Sequence, residues 1–216
     1  MQLQGLVTIV LVAAAVVLAA SSRMSFAASG SPLEVDYPRL VSRADLNLSG
    51  TFDISDNGLP IGNGTMGSLV WTSPASLKFQ INRVDVYANG CETQSFFRRD
   101  HDYAYGCGLL DIDLVDFGKD VFTKDATRQR LAVYDGVASV AGAGVTTESA
   151  AWQNGDVFAV RIDDRRDAPS AVRARLQTLR PRVVHTYNHK AESDLLIAGG
   201  RVALRQTFRE DEFYCA

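Results

Sequence analysis

Apolar and polar residues alternate along most of the chain, and this alternation predicts β-strands. In the clearest run, Leu77, Phe79 and Ile81 alternate with polar residues, which is the period of two that a half-buried strand shows. Similar apolar-rich runs occupy residues 108–114, 131–133, 137–141, 145–152, 157–162, 172–177, 195–197 and 202–208. Asp135-Gly136 and Asn154-Gly155 are typical of tight two-residue hairpins between such runs. Because no segment after the first 27 residues shows a helical period, we predict an all-β fold, an antiparallel β-(super)sandwich.

The alternation changes phase in the strand that contains Ile81. The next apolar residues, Val84 and Val86, have the opposite parity, and a one-residue slip turns every later side chain to the other face of the sheet. We therefore predict a β-bulge or a sharp bend near Asn82. Bulges re-aim side chains and often lie beside functional sites, which makes Asn82 and Asp85 candidate substrate-binding residues. The alternative is a hairpin corner without chemistry, since bulges also serve only to bend strands.

The N-terminus is predicted to direct export. Residues 6–20 are almost entirely apolar, a stretch too short for a membrane span but typical of a signal peptide, and residues 25–27 suit a signal peptidase. We therefore interpret residues 1–27 as a signal peptide and the chain as secreted, extracellular or periplasmic. The first five residues lack Lys and Arg, so an N-terminal anchor is the alternative. Residues 28–46 form a lead-in, and residues 47–216 form the β-sandwich domain.

Charge and cysteine content exclude several functions. The net charge is −3, and no basic cluster stands out as it does in nucleic-acid-binding proteins. Of three cysteines, Cys91 and Cys107 flank one loop and are able to pair, which leaves Cys215. The spacing of these cysteines fits no metal site. His185 and His189 are four residues apart but lack the accompanying Glu and a nearby third ligand, so we predict no metal and no cofactor.

The segment between Cys91 and Cys107 combines aromatic, acidic and basic residues. Phe96, Phe97, Arg98, Arg99, Asp100, His101, Asp102, Tyr103 and Tyr105 all lie in it. Aromatic rings stack on the apolar faces of sugars, and carboxylates accept hydrogen bonds from hydroxyls. His101 and Asp102 are therefore candidate substrate-binding residues. The alternative is a salt-bridged loop whose aromatic residues cover one end of the sandwich.

Two carboxylates lie on one face of a later strand. Asp111 and Asp113 alternate with apolar residues, which places them about 7 Å apart. A calcium site needs more oxygen ligands at closer spacing. We therefore predict that Asp111 and Asp113 are solvated strand residues.

Two asparagines, Asn47 and Asn63, each begin a glycosylation sequon. Such a sequon carries sugar only where the cell glycosylates exported proteins. Asn63 lies in a glycine-rich turn, where a bulky glycan would compete with packing. We interpret the second sequon as coincidental.

The same glycine-rich turn begins a stretch with a family resemblance. Residues 60–70 are Pro-Ile-Gly-Asn-Gly-Thr-Met-Gly-Ser-Leu-Val, and they are followed by Leu77 to Gln80, Asn82, Asp85 and Tyr87-Ala88-Asn89-Gly90. This stretch resembles the N-terminal β-domain of glycoside hydrolase family 95-like proteins, in particular the N-terminal module of the uncharacterised domain family 5703. The resemblance is specific over residues 59–90 and weak elsewhere. It implies a β-domain that precedes a helical (α/α)6 toroid with the catalytic carboxylates, and nothing in this chain matches that toroid.

The export signal, the β-pattern and this resemblance together lead us to expect an exported β-sandwich chain, and the resemblance implies that it is the N-terminal accessory domain of a carbohydrate-active enzyme, an α-L-fucosidase-like glycoside hydrolase. The expected partners are a carbohydrate and the C-terminal catalytic domain of the full-length protein, with no nucleic acid and no membrane beyond the signal segment. We assign no catalytic residue, since no Asp or Glu matches the family's catalytic positions. The charged residues 209–212 near the end of the chain suggest truncation. The alternatives are a stand-alone carbohydrate-binding module and a structural or interaction module, because sandwiches host unrelated functions.

Overall fold

The computed structural model describes residues 34–52, 54–88, 103–115, 120–169, 171–179, 183–186, 189–208 and 214–215. Its strands are β1 (Leu46–Ser49), β2 (Leu59–Gly62), β3 (Met66–Ser73), β4 (Ser76–Ala88), β5 (Tyr103–Val115), β6 (Arg128–Ala132), β7 (Val137–Gly142), β8 (Val145–Ala151), β9 (Phe158–Asp164), β10 (Ala171–Gln177), β11 (Val183–Thr186), β12 (His189–Ala198), β13 (Arg201–Phe208) and β14 (Tyr214–Cys215). One helix, α1 (Tyr37–Val41), and two 3₁₀-helices, Ser42–Ala44 and Ser55–Asn57, complete the described elements. Among them, no helix has the length and hydropathy needed to cross a bilayer.

The strands pair in three antiparallel sheets, which confirms the predicted all-β antiparallel fold. Sheet A has the order β1-β6-β7-β8-β9, sheet B has the order β10-β5-β4-β3-β2, and sheet C has the order β11-β12-β13-β14. Most pairs are hairpins of consecutive strands, whereas the pairing of β1 with β6 and of β5 with β10 joins distant parts of the chain.

Sheets A and B enclose the hydrophobic core. The alternating residues of β4 that the sequence predicts to face inward, Leu77, Phe79 and Ile81, are at most 5% exposed. Sheet A contributes Leu131, Ala138, Val140, Val145, Phe158 and Val160, and the segment between β5 and β6 adds Val121 and Phe122. Burial of this apolar surface is the main force that holds the two sheets together.

The helix α1 falls in the lead-in, where the sequence shows no helical period. A local cap explains it: the carboxylate of Asp36 accepts a hydrogen bond of 3.0 Å from the backbone N–H of Arg39. Pro38 occupies the first turn, where its missing N–H costs nothing. These local bonds support one helical turn without any buried face.

The hairpin loops differ from the predicted two-residue turns at Asp135-Gly136 and Asn154-Gly155. Strand β6 ends at Ala132 and β7 begins at Val137, so residues 133–136 form a four-residue loop. The β8–β9 loop is also wider, and it is closed by a hydrogen bond of 2.8 Å from the Trp152 N–H to the Val157 carbonyl. Both dipeptides lie in reversals as predicted, but the pairing stops earlier than the apolar pattern suggests.

The predicted irregularity near Asn82 is confirmed. Pairing of β4 with β5 shifts register between Ile81 and Asn82 and again between Asn82 and Tyr87. Beyond the bulge, Val86 is 4% exposed whereas Val84 is 68% exposed. The bulge therefore leaves the two valines in different surroundings, and the backbone N–H of Val84 bonds to the carbonyl of Thr65.

Sheet C packs against sheet B through glycine positions of β5. A Cβ added at Gly108 would overlap the side chain of Leu204 in β13, so the close approach of the two strands depends on this glycine. The side-chain amide of Gln206 is buried and donates a hydrogen bond of 3.3 Å to the Gly106 carbonyl. Further along sheet C, Leu195 and Ile197 are exposed.

Candidate functional site

Three loops meet at one end of the A–B sandwich. The β2–β3 turn comprises residues 63–65, the β6–β7 loop residues 133–136, and the β8–β9 loop residues 152–157. In an antiparallel meander, alternate loops lie at the same end, which places both sheet A loops together. A hydrogen bond from Asn63 joins the β2–β3 turn to the β8–β9 loop. We call this region the hairpin end.

Asn63 links the two sheets at the hairpin end. Its Nδ2 donates hydrogen bonds of 2.8 Å and 3.0 Å to the carbonyls of Trp152 and Gly155 in the β8–β9 loop. Its Oδ1 accepts hydrogen bonds of 3.0 Å and 2.8 Å from the N–H groups of Thr65 and Met66. The amide thus forms all four bonds with backbone groups, and it fixes its own turn as well as the opposing loop.

The glycine-rich turn has the backbone that its composition predicts. Gly64 has a φ of +92°, a conformation that residues with a Cβ rarely adopt. A Cβ at Gly62 would lie 3.0 Å from the Met66 carbonyl oxygen. Because both amide hydrogens of Asn63 are already donated, a glycan on its Nδ2 would remove one of these bonds. The geometry therefore favours the interpretation of this sequon as coincidental.

A second link between the sheets is an ion pair. Arg83 lies in the bulged part of β4, and its Nη1 is 2.5 Å from Oδ2 of Asp156 in the β8–β9 loop. The side chain of Arg83 is only 9% exposed and that of Asp156 is 29% exposed. Partial burial reduces screening by water, so this pair is stronger than a fully solvated one.

The β6–β7 loop is held by an acidic side chain. Oδ1 of Asp45 accepts a hydrogen bond of 2.9 Å from the Val133 N–H, and Oδ2 lies 2.6 Å from the Arg130 guanidinium. The bond from the Val133 backbone, with that from Arg130, holds the pKa of Asp45 below its usual value. Side chains from elsewhere in the chain therefore position both sheet A loops at the hairpin end: Asp45 holds the β6–β7 loop, and Asn63 and Arg83 hold the β8–β9 loop.

The hairpin end also presents aromatic rings to solvent. Trp152 is 61% exposed and Tyr134 is 48% exposed, and each belongs to one of the two anchored loops. A third exposed aromatic residue, Tyr37, lies in α1 shortly before β1. Among the side chains that the structure describes, all other tryptophan, tyrosine and phenylalanine rings are buried or half-buried. The sequence patterns did not identify Trp152 and Tyr134, because in each case the chain resembles a strand end.

Of the four predicted substrate-binding residues, the structure describes the side chain of Asn82. Asn82 lies at the register shift of β4 and is half-buried. Its Oδ1 would lie 3.0 Å from a Cβ added at Gly106, so its side chain faces the neighbouring strand rather than open solvent. Asp85 belongs to β4, but its side chain lies outside the described part. His101 and Asp102 also lie outside it, and so does Cys91, the proposed partner of Cys107.

A separate polar cluster covers the outer face of sheet B, and it corrects one prediction. Asp111 and Asp113 are only 5% and 6% exposed, so they are not solvated strand residues. Asp111 accepts a hydrogen bond of 2.7 Å from Gln177 and lies 3.1 Å from Lys78 Nζ. These partners lie on the flanking strands β10 and β4, and their long side chains cover the carboxylate.

Asp113 is held in the same manner. It accepts hydrogen bonds of 2.6 Å from the Ser76 hydroxyl and 2.5 Å from Arg175. Burial raises its pKa, but the bonds from Ser76 and Arg175 and the charges of Arg175 and Lys78 outweigh that effect and lower it. The cluster attaches β10 to sheet B by ionic and hydrogen bonds, and neither carboxylate is open to a ligand.

No group of three acidic, histidine or cysteine residues in the described part lies close enough together to hold a metal ion. Comparison with known proteins adds no assignment: no family model matches the chain, and no curated protein matches it.

Proposed function

We propose that this chain is the N-terminal accessory β-sandwich domain of an exported carbohydrate-active enzyme of the α-L-fucosidase-like glycoside hydrolase class. Two features support the proposal. Residues 59–90 resemble the N-terminal β-domain of family 95-like hydrolases and the family 5703 module, and the chain folds as an antiparallel β-sandwich of the kind that this resemblance implies. In this role the domain supports a helical-toroid catalytic domain and forms one wall of the sugar cleft.

The observation that carries the proposal is the position in the fold of residues 59–90, the stretch that resembles the hydrolase domain. It forms β2, β3 and β4 and supplies both Asn63 and Arg83 to the hairpin end. The shared sequence therefore builds a rigid end of the sandwich on which aromatic rings are exposed. A rigid surface with exposed rings suits a domain that borders a sugar cleft.

The acidic residues of the sandwich agree with an accessory role. Glycoside hydrolysis requires two carboxylates placed across the scissile bond. Within the described residues, Asp111 and Asp113 are enclosed by cationic and polar partners, and Asp156 is paired with Arg83. Acids arranged in this way hold the fold together, and the catalytic pair belongs to the toroid in this proposal.

The experiment compares two proteins. One is the 216-residue chain, and the other is the product of the same coding frame read past the Ala216 codon. We expect the longer product to release the chromophore from an aryl α-L-fucoside or galactoside and the short chain to release none. Turnover by the purified short chain, or a stop codon directly after Ala216, would contradict the accessory role.

The second candidate is a stand-alone secreted carbohydrate-binding module. The exposed rings of Trp152 and Tyr134 favour it, since such rings bind sugars without any catalytic partner. A stop codon after Ala216 together with glycan binding by the short chain would favour this candidate over the first.

A further inference from the structure

Trp152 and Tyr134 lie on two loops of the same sheet at the hairpin end. The loops belong to the β6–β7 and β8–β9 hairpins, which are adjacent in sheet A. Equivalent points of adjacent hairpins are two strand spacings apart, about 10 Å. A separation of this size suits two successive contacts along a chain molecule, whereas a single small ring cannot reach both.

Each ring lies on a backbone that is held before any ligand arrives. Asn63 bonds directly to the carbonyl of Trp152, and Asp45 bonds to the N–H of Val133, the neighbour of Tyr134. Preorganisation of this kind lowers the conformational entropy that binding would otherwise cost. The fold therefore holds the backbone that carries the two exposed rings.

The surroundings of the rings are polar. Gln153 and Asn154 follow Trp152 and are exposed, and exposed Asp135 follows Tyr134. These amides and carboxylates donate and accept hydrogen bonds. Flat rings flanked by such groups match a pyranose, which has an apolar C–H face and an equatorial rim of hydroxyls.

We propose that Trp152 and Tyr134 form a binding surface for an oligosaccharide, in which each ring stacks against the face of one pyranose unit. The inference rests on the proposed function, since it takes the ligand to be a carbohydrate. It places the sugar contacts on sheet A loops, apart from Asn82 and Asp85 of β4. Asn63 and Asp45 act as positioning residues in this arrangement, because they touch the loops and not the sugar.

The test is affinity gel electrophoresis of the 216-residue chain in gels cast with soluble β-glucan, xylan or pectin. The variants are Trp152→Ala, Tyr134→Ala and the double variant, each with the Phe substitution as the conservative control. Ile197→Ala removes an apolar side chain of sheet C that is 81% exposed and serves as the control for surface apolarity. Thermal unfolding of every variant checks that the fold is intact. We expect melting temperatures close to that of the wild type, because both rings are exposed to solvent.

We expect wild-type retardation on at least one polysaccharide. Each Ala substitution should raise the dissociation constant about tenfold, which is the effect of one lost stacking contact. The double variant should migrate equally fast in gels with and without polysaccharide. The Phe variants and Ile197→Ala should remain within about twofold of wild type, since a flat ring is kept or an unrelated site is changed. Wild-type retardation that persists in the folded double variant would overturn this inference and leave the proposed function standing. Absence of retardation of the wild type on all three polysaccharides would also overturn it, whereas the fucosidase assay decides the proposed function separately.

Discussion

Replacement of Asn63 by Ala tests whether the glycine-rich turn joins the two sheets. The substitution removes the two hydrogen bonds donated to the carbonyls of Trp152 and Gly155 and the two accepted from the N–H groups of Thr65 and Met66. The backbone of residue 63 can keep its path, because its N–H still bonds to the Met66 carbonyl. The variant therefore isolates the side-chain amide.

The size of the effect follows from those four bonds. A typical intramolecular hydrogen bond contributes a net 0.5–1.5 kcal/mol, and solvent-accessible bonds lie at the lower end of that range. Three of the four lie in exposed surroundings and one is partly buried, so we expect a loss of about 2 kcal/mol in the free energy of unfolding. For a domain of this size, that loss lowers the melting temperature by about 6 °C.

The assay is urea denaturation and calorimetric melting of the wild type, Asn63→Ala and a control, Gln153→Ala, which truncates an exposed amide in the β8–β9 loop. Hydrogen exchange should also show faster exchange of the Trp152 N–H, because the hydrogen bond that it donates to the Val157 carbonyl loses the support of Asn63. A loss of less than about 0.5 kcal/mol, equal to that of a neutral surface substitution, would show that the core alone holds the loop and that the amide links do not stabilise the fold.

Three further outcomes follow from the structure. Gly64→Val should reduce the free energy of unfolding by about 2 kcal/mol, because φ is +92° there, while the folded fraction keeps any glycan binding; unchanged urea denaturation would contradict this. Gly142→Ala should lower the free energy of unfolding by about 3 kcal/mol, since the new Cβ would overlap the Val121 carbonyl. Gly155→Ala is the control: the space around this glycine is open, so the free energy of unfolding should change by less than about 0.5 kcal/mol. Equal melting temperatures of the two variants would refute the difference. Because the pKa of Asp113 is lowered in the folded state, its carboxylate stabilises the fold above the unfolded pKa of about 3.9, and this stabilisation is lost as pH falls through the folded pKa. The free energy of unfolding of Asp113→Asn, measured from pH 7 to pH 2, should therefore depend less on pH than that of the wild type. Parallel pH profiles would contradict the pairing.

Local sequence patterns were sufficient for most of the longer strands and for the bulge. The change of parity after Ile81 marks a place where the chain itself must bend, and the register of β4 shifts there. The positive φ of Gly64 is equally local, since glycine is the residue that adopts it without strain. Features that one strand or one turn determines could be predicted from a few neighbouring residues.

The partners of polar side chains could not be predicted in this way. The sequence placed Asp111 and Asp113 on one face, but the residues that cover them on β10 lie 66 and 62 positions further along the chain. Asn63 bonds to a carbonyl 89 positions away. Alternation states which face a side chain occupies, and only the order of strands in the sheet decides what lies beside it. The solvated prediction for the two aspartates was wrong for that reason.

The structure also separates what the resembling stretch builds from what it could bind. Asn63 forms its four hydrogen bonds with backbone groups of the same chain, so its presence in the motif is explained by folding without reference to a substrate. The exposed rings, in contrast, lie on loops outside residues 59–90 and contribute little to the core. Two proteins that share the Asn63 turn are therefore expected to share the joint between sheets, and they can differ in the aromatic residues that the joint holds in place. Likeness in the turn supports a common architecture, and a common ligand does not follow from it.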